Sequence, residues 1–322
     1  MPSPIPDDDG GASIGSAIRP VPTASLEWPA STWRERQQRH EVRVDAWISP
    51  RLKRRSRGHR HPVYDFLFDY YSYRPSSLRR WHPGFGVKLL DGCEDFGSRV
   101  GYRSDARGCV EANIHAWKPE RRRFVPWLQE ILKATAQRAG FFGCAGLHEW
   151  AMVYADGPQR HHDWPLRLSQ SETDAVVHSL PLRCSHFDAF RFFTPEARPL
   201  NRLQLARLDA IDNEQPGCLH ANMDLYKWGY KLAPFTSSEL VADSFELAMQ
   251  IREIDMRASP YDFSALGFQP ILIETPEGRA DYERHQRGFA AQAAPLRAAL
   301  IKTCRELLSA WDDSPEVHPA VC

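Results

Sequence analysis

The sequence predicts a mainly α protein of the α+β class, a multi-helix domain with a small β-hairpin insertion. Three observations lead there. Apolar residues recur at helical spacing over most of the chain. Residues 86–116 alternate loosely in the manner of strands, and little else does beyond a short extended stretch at 182–193. The strand–helix–strand rhythm of a nucleotide-binding sheet is missing. Hydrophobic residues make up 42% of the 322, and charged residues 25%, which suits a packed core and excludes a disordered chain.

Residues 1–28 are rich in Pro, Gly, Ser and Asp and read as a tail. Residues 29–312 read as one mainly helical domain, and 313–322 as a second tail. Thr32 and Glu35 form a capping-box pattern, predicting a helix that carries Trp33, Val42, Val44, Trp47 and Ile48. His61-Pro62 predicts the start of a second, apolar helix through PVYDFLFDYYSY. GVKLLDG and VGYRSDARGCVEANI, with turn residues at 104–108, predict the hairpin. Residues 120–139 return to helical period, and Ser171 with Asp174 suggests another helix start. Residues 182–193 read as extended. Further helices are expected over about 218–232, 237–257 and 276–310, with capping patterns at Thr236–Glu239 and at Thr275-Pro276-Glu277.

No stretch approaches the ~20 consecutive apolar residues of a membrane helix. No basic region followed by an apolar one opens the chain. Seven scattered cysteines without any C-x-x-C argue against a disulfide framework, so a cytoplasmic location is expected. The net charge is zero, yet residues 1–125 hold 22 Lys/Arg against 15 Asp/Glu, leaving 19 against 26 for the rest. A basic first part of this kind can attract phosphate, which makes DNA a candidate partner.

Several polar groups sit in apolar surroundings. His220 and Asp224 are i,i+4 on an expected helix and can reach one point. His61 and Asp65 repeat that spacing. With Glu149, these four could form a carboxylate-type iron site. His186 and Asp188 would share one face of a strand. His148-Glu149 lies inside FFGCAGLHEWAMVY, where desolvation would raise a carboxyl pKa and suit acid–base work. Glu239, Asp243, Glu246, Gln250 and Glu253 form a stripe that reads as a solvent face. There is no G-x-G-x-x-G, no P-loop, no H-E-x-x-H and no G-x-S-x-G.

The blocks HPVYDFLFDYYSYRPSSLRRWHPG, GLHEWAMVY, CSHFDAFRFFTPEARPLN and QPGCLHANMDLYKWGYKLAPFTSSELVADSFELAMQIREIDMRASPYD resemble an actinobacterial family labelled 3-methyladenine DNA glycosylase. The resemblance covers about residues 30–310. It implies hydrolysis of the N-glycosidic bond to an alkylated, cationic purine, with the base flipped onto aromatic rings and water activated by a carboxylate. No cofactor is needed for that chemistry. Under it, Asp224 is the first choice of general base, followed by Glu149 and Asp188. Trp150, Tyr226 and Trp228 would stack the base, and Arg54, Arg55, Arg79, Arg80 and Arg122 would contact phosphates. The hairpin and following Asp of helix-hairpin-helix glycosylases are absent from the sequence. The competing expectation is a non-haem iron or di-iron oxygenase acting on a small molecule, with His220, Asp224, Glu149, His61 and Asp65 as ligands.

Overall fold

The structure, a computed structural model, describes residues 25–157 and 163–313. Most of the expected tails lies outside these residues. The chain begins with β1 (Leu26–Trp28) and the long helix α1 (Ala30–Ser56). Short helices α2 (Phe66–Tyr70) and α3 (Pro75–Arg79) follow. Next come β2 (Val87–Leu89), α4 (Cys93–Phe96), β3 (Tyr102–Ser104) and β4 (Val110–Ala112). Helices α5 (Pro119–Arg122), α6 (Phe124–Gln137), α7 (Leu147–Ala151), α8 (Gln170–Ser179), α9 (Phe187–Phe190) and α10 (Ala210–Asn213) lead to three long ones. These are α11 (Leu219–Lys231), α12 (Ser238–Arg257) and α13 (Pro276–Asp312). The mainly α class with a small β element is therefore as expected.

Helix α11 packs on both α12 and α13, α6 packs on α13, and α12 also touches α1 and α3. Almost every turn of α11 is buried, including Leu225 and Tyr226, so this helix is the centre of the protein. One continuous apolar cluster joins Trp33 of α1, Leu89 and Val110 of the sheet, Phe245 of α12 and Leu300 of α13.

The hairpin is present as β3 and β4, paired antiparallel, with a turn in which the Asp105 carboxylate accepts from the Arg107 and Cys109 amides. It belongs to a four-stranded sheet of order β1-β2-β4-β3. Strand β1 pairs parallel to β2, Leu26 opposite Val87, inside a segment the sequence assigned to the tail. Three residues whose first two are exposed carry no periodic signal; only a partner some sixty positions away makes them a strand.

Several helix starts differ from expectation. Helix α1 begins at Ala30 after Pro29, without a side-chain cap, so Thr32 and Glu35 already lie within the helix. Helix α8 is capped two residues earlier than expected, by a Ser169–Glu172 capping box. For α12 the cap is Ser237 rather than Thr236. The apolar segment after His61 opens with a turn over 62–65 and then forms one short helix at Phe66–Tyr70, in place of a single continuous helix. Residues 182–186 have no regular structure, and α9 follows, so His186 and Asp188 do not share a strand face. The start of α13 is as read: Thr275 accepts from the Gly278 amide at 3.0 Å, with Pro276 in the first turn.

The acidic stripe of α12 is partly solvent-exposed, as read, but it is also engaged by arginines of α1. Glu239 binds Arg36 at 3.0 Å, while Asp243 and Glu246 both hold Arg43. Arg51 reaches Asp69, Arg54 reaches Asp65, and Arg34 reaches Asp95. Most of the positive charge of α1 is thus neutralised inside the molecule.

Gly278 is fixed by close approach: a Cβ there would lie 1.9 Å from the Leu272 carbonyl oxygen. Gly278→Ala is expected to destabilise the protein by at least about 2 kcal/mol, because backbone rather than a flexible side chain must move. Arg43→Ala, which removes only half-exposed pairs, is expected to cost at most about 1 kcal/mol and less in high salt. Urea denaturation of the two variants at low and high salt checks both values.

Candidate metal centre

Five segments contribute ionisable groups to the buried side of α11, that helix included. Helix α11 supplies His220, Asp224 and Lys227. Helix α12 supplies Arg252 and Asp255, one turn apart. Helix α7 supplies His148 and Glu149; its N-cap Gly146 adopts φ +69° against the Tyr282 ring. His186 caps α9, and Glu214 follows α10.

These groups form a continuous series. The Arg252 guanidinium donates to Glu149 at 2.9 Å and to Asp255 at 3.4 Å. Asp255 lies 3.2 Å from His148 Nε2. The His148 ring meets His220 edge-on at 4.6 Å, and His220 stacks on His186 at 5.3 Å between centroids. His186 Nε2 lies 3.3 Å from Asp224 and 3.5 Å from Glu214. Asp224 also accepts from the Tyr71 hydroxyl at 3.0 Å and from the Lys227 ammonium. Lys227 approaches Asp188 at 3.6 Å.

Two trios have ligand-type atoms within 4.8 Å of one another: His148, His220 and Asp255, and His186, Glu214 and Asp224. In each trio a cation already stands beside the buried carboxylate: Arg252 beside Asp255 in the first, Lys227 beside Asp224 in the second. Burial opposes ionisation of Asp224, but Lys227 and His186 outweigh it and hold the carboxyl far below its ordinary range. Burial pushes the Glu214 carboxyl up. In the first trio, Asp255 Oδ1 has no hydrogen-bond partner among the described residues. Burial opposes ionisation of Asp255 too, yet His148 holds its carboxyl down at about 2. Burial and the neighbouring His148 push His220 well below the usual imidazole value, whereas at His148 Asp255 and Glu149 outweigh burial and raise it. Metal binds a neutral imidazole, so His148 would give up a proton to a metal ion.

His148 and His220 also line a small cavity of about 20 Å³, together with Cys144, Cys184, Cys218 and Tyr282. That volume suits a water or a diatomic molecule and is far below the ~300 Å³ at which ordinary ligand pockets begin. The buried Tyr282 hydroxyl lacks a hydrogen-bond partner among the described residues.

The residues named from sequence are distributed differently from expectation. His220 and Asp224 do share the buried side of α11, but they belong to different trios. Glu149 is bound to Arg252 and belongs to neither. His61 and Asp65 are elsewhere: the Asp65 carboxylate accepts from the His61 amide and from Arg54, and the His61 ring stacks on Tyr64. The five expected ligands therefore do not converge. Asp188 is half-buried and pairs with Arg191 at 3.2 Å.

Trp150 and Tyr226 are completely buried, and Trp228 nearly so, which makes them core residues with no face presented to solvent. Trp150 Nε1 donates to the Ala258 carbonyl. Of the arginines, Arg54 is tied to Asp65, Arg79 to Glu41 and Asp45, and Arg122 to the Trp117 carbonyl. Arg55 and Arg80 are exposed. Sequence reading missed Asp255 and Glu214 as site residues. Asp255 carried a signal, an acidic residue flanked by Ile254 and Met256 on the apolar side of a helix. Glu214 carried none. Comparisons with protein-family models, with curated proteins and with solved structures found no match.

Replacing Asp224 by Asn would leave the buried Lys227 ammonium with only the more distant Asp188 and weaken the partner of His186 and Tyr71. A loss of about 3–5 kcal/mol is expected. Arg252→Met, which removes the cation from Glu149 and leaves Asp255 with His148 alone, is expected to cost a similar amount. Chemical denaturation of each variant against the parent measures the effect.

Proposed function

We propose that this is a metal-dependent protein of the non-haem iron type, with His148, His220 and Asp255 as the ligands and a diatomic molecule such as dioxygen, or water, reaching the metal. The observation that carries this reading is the first trio itself. Two imidazoles and a carboxylate from three different helices bring ligand atoms within 4.8 Å inside the core, beside a cavity of about 20 Å³. Two histidines and one carboxylate with open positions are the donor set of non-haem Fe(II) oxygenases. With metal–ligand bonds of about 2.1 Å, neighbouring ligand atoms stand ~3.0 Å apart in an octahedron and ~3.4 Å apart in a tetrahedron. The 3.2 Å between His148 Nε2 and Asp255 falls between these values.

The surrounding residues fit supporting roles. Arg252 orients Asp255 through its other carboxylate oxygen, as outer-sphere partners of metal ligands do. The stacked His186 imidazole, tied to Asp224, limits how far the His220 ring can turn. The cavity beside the two ligand imidazoles has room for dioxygen or water, the molecules that an open coordination position would take.

The glycosylase reading draws less support. Its first-choice base, Asp224, is engaged by Tyr71, His186 and Lys227 and held far below its usual range, so it is a weak proton acceptor. Glu149 is engaged by Arg252. A purine could reach Trp150 or Tyr226 only if the core opened.

Metal analysis of protein produced without a histidine tag tests the proposal. After anaerobic reconstitution with Fe(II), about one equivalent is expected to remain bound. His148→Ala, His220→Ala and Asp255→Ala are each expected to lower retained metal at least about tenfold. Asp188→Asn, outside the trio, is expected to retain it. Full metal retention in all three ligand variants, or none in the folded parent, would refute the assignment.

A further inference from the structure

A second concave site lies on a different part of the molecule, between α1, the segment after α3 and the loop before β3. Its cavity measures about 540 Å³, within the range that accommodates cofactor-sized ligands. The walls include Gln37 and Glu41 of α1, Arg79, Arg80 and His82, and Arg99 with Tyr102.

The charges here do not cancel. Glu41 is committed to Arg79 at 2.9 Å and accepts from Gln37. Arg79 is in addition held by Asp45 at 2.8 Å. That leaves Arg80 and Arg99, neither of which lies within ion-pair distance of a carboxylate among the described residues. The contrast with α1 is informative, because there Arg34, Arg36, Arg43, Arg51 and Arg54 each have a carboxylate partner. Arg99 is not simply loose. Its guanidinium lies over the Phe96 ring at 4.0 Å, and Phe96 is wedged against Trp81 and Tyr102. A stacked guanidinium keeps its donor edge free and pre-aimed. His82 Nδ1 is taken by the Tyr102 hydroxyl at 2.7 Å, which fixes the ring and leaves Nε2 as its second polar atom. Two like charges that share a concave surface repel each other unless an anion lies between them.

We infer that this cavity binds a small phosphorylated ligand, its phosphate held between Arg80 and Arg99 and its organic part filling the rest of the volume. A phosphate carrying up to two charges matches two uncompensated guanidinium groups, whose planar forks suit its oxygens. The inference is independent of the metal proposal, since the two sites share no residue.

Calorimetric titration of the full chain with inorganic phosphate and with pyrophosphate, both in the presence of EDTA so that no metal can hold the anion, tests it. Saturable binding of pyrophosphate is expected in the sub-millimolar range. Arg80→Ala and Arg99→Ala are each expected to weaken it about tenfold or more. Arg80→Lys and Arg99→Lys, which keep the charge and lose the fork, are expected to weaken it less and guard against an effect of misfolding. Arg103→Ala, outside the cavity, is expected to leave binding unchanged. No saturable binding up to about 10 mM, or binding that ignores both arginines, overturns the proposal. If a short single-stranded oligonucleotide binds more tightly than pyrophosphate, depends on the same two arginines and weakens steeply with salt, a nucleic-acid backbone replaces the small ligand and the proposal fails.

Discussion

The interior of this protein is organised by charges that cannot be left dry without a partner. Asp224 and Asp255 are almost fully buried on adjacent helices, α11 and α12, and each requires a cation beside it. Lys227 serves the first from one turn along the same helix, and Arg252 serves the second in the same way. The remaining partners come from α7, from the cap of α9 and from the end of α10. The short elements that bring these partners are also anchored by apolar side chains, Leu147 and Trp150 of α7 and Phe190 of α9, so burial and charge pairing act together on them.

The same logic works on a larger scale at the surface. Part of the basic excess of the first part meets acidic groups of the rest, and other α1 arginines pair with carboxylates close by in the same part. Arg36 and Arg43 of α1 meet the Glu239, Asp243 and Glu246 stripe of α12. A charge run that suggests a nucleic-acid partner in one dimension is spent on an internal helix–helix contact in three. What remains uncompensated is then more telling than the total. Arg80 and Arg99 are distinguished by lining one cavity together, each without a carboxylate in ion-pair range among the described residues.

The candidate site was half legible. His220 and Asp224 at i,i+4 inside an apolar helix pointed to a buried polar centre, because such groups are costly unless they find partners. His148 lay within a segment singled out for the same reason. The identical spacing of His61 and Asp65 led elsewhere, since that segment opens with a turn and Asp65 is occupied by Arg54 and the local backbone. Which carboxylate meets which imidazole depends on how α7, α11 and α12 cross, and one chain position gives no hint of that.

Sequence by itself determined the elements whose signal is local. The helical period fixed α11, α12 and α13, and the Ser-Asp-Ala-Arg-Gly turn fixed the β3–β4 hairpin, because backbone propensity and side-chain periodicity act over a few residues. Tertiary structure alone decided the rest: the pairing of β1 with β2, the neutralisation of α1 by α12, and the grouping of His148 and His220 with Asp255 instead of Asp224. Each of these joins groups distant along the chain, and their energies depend on desolvation that exists only once the core has closed.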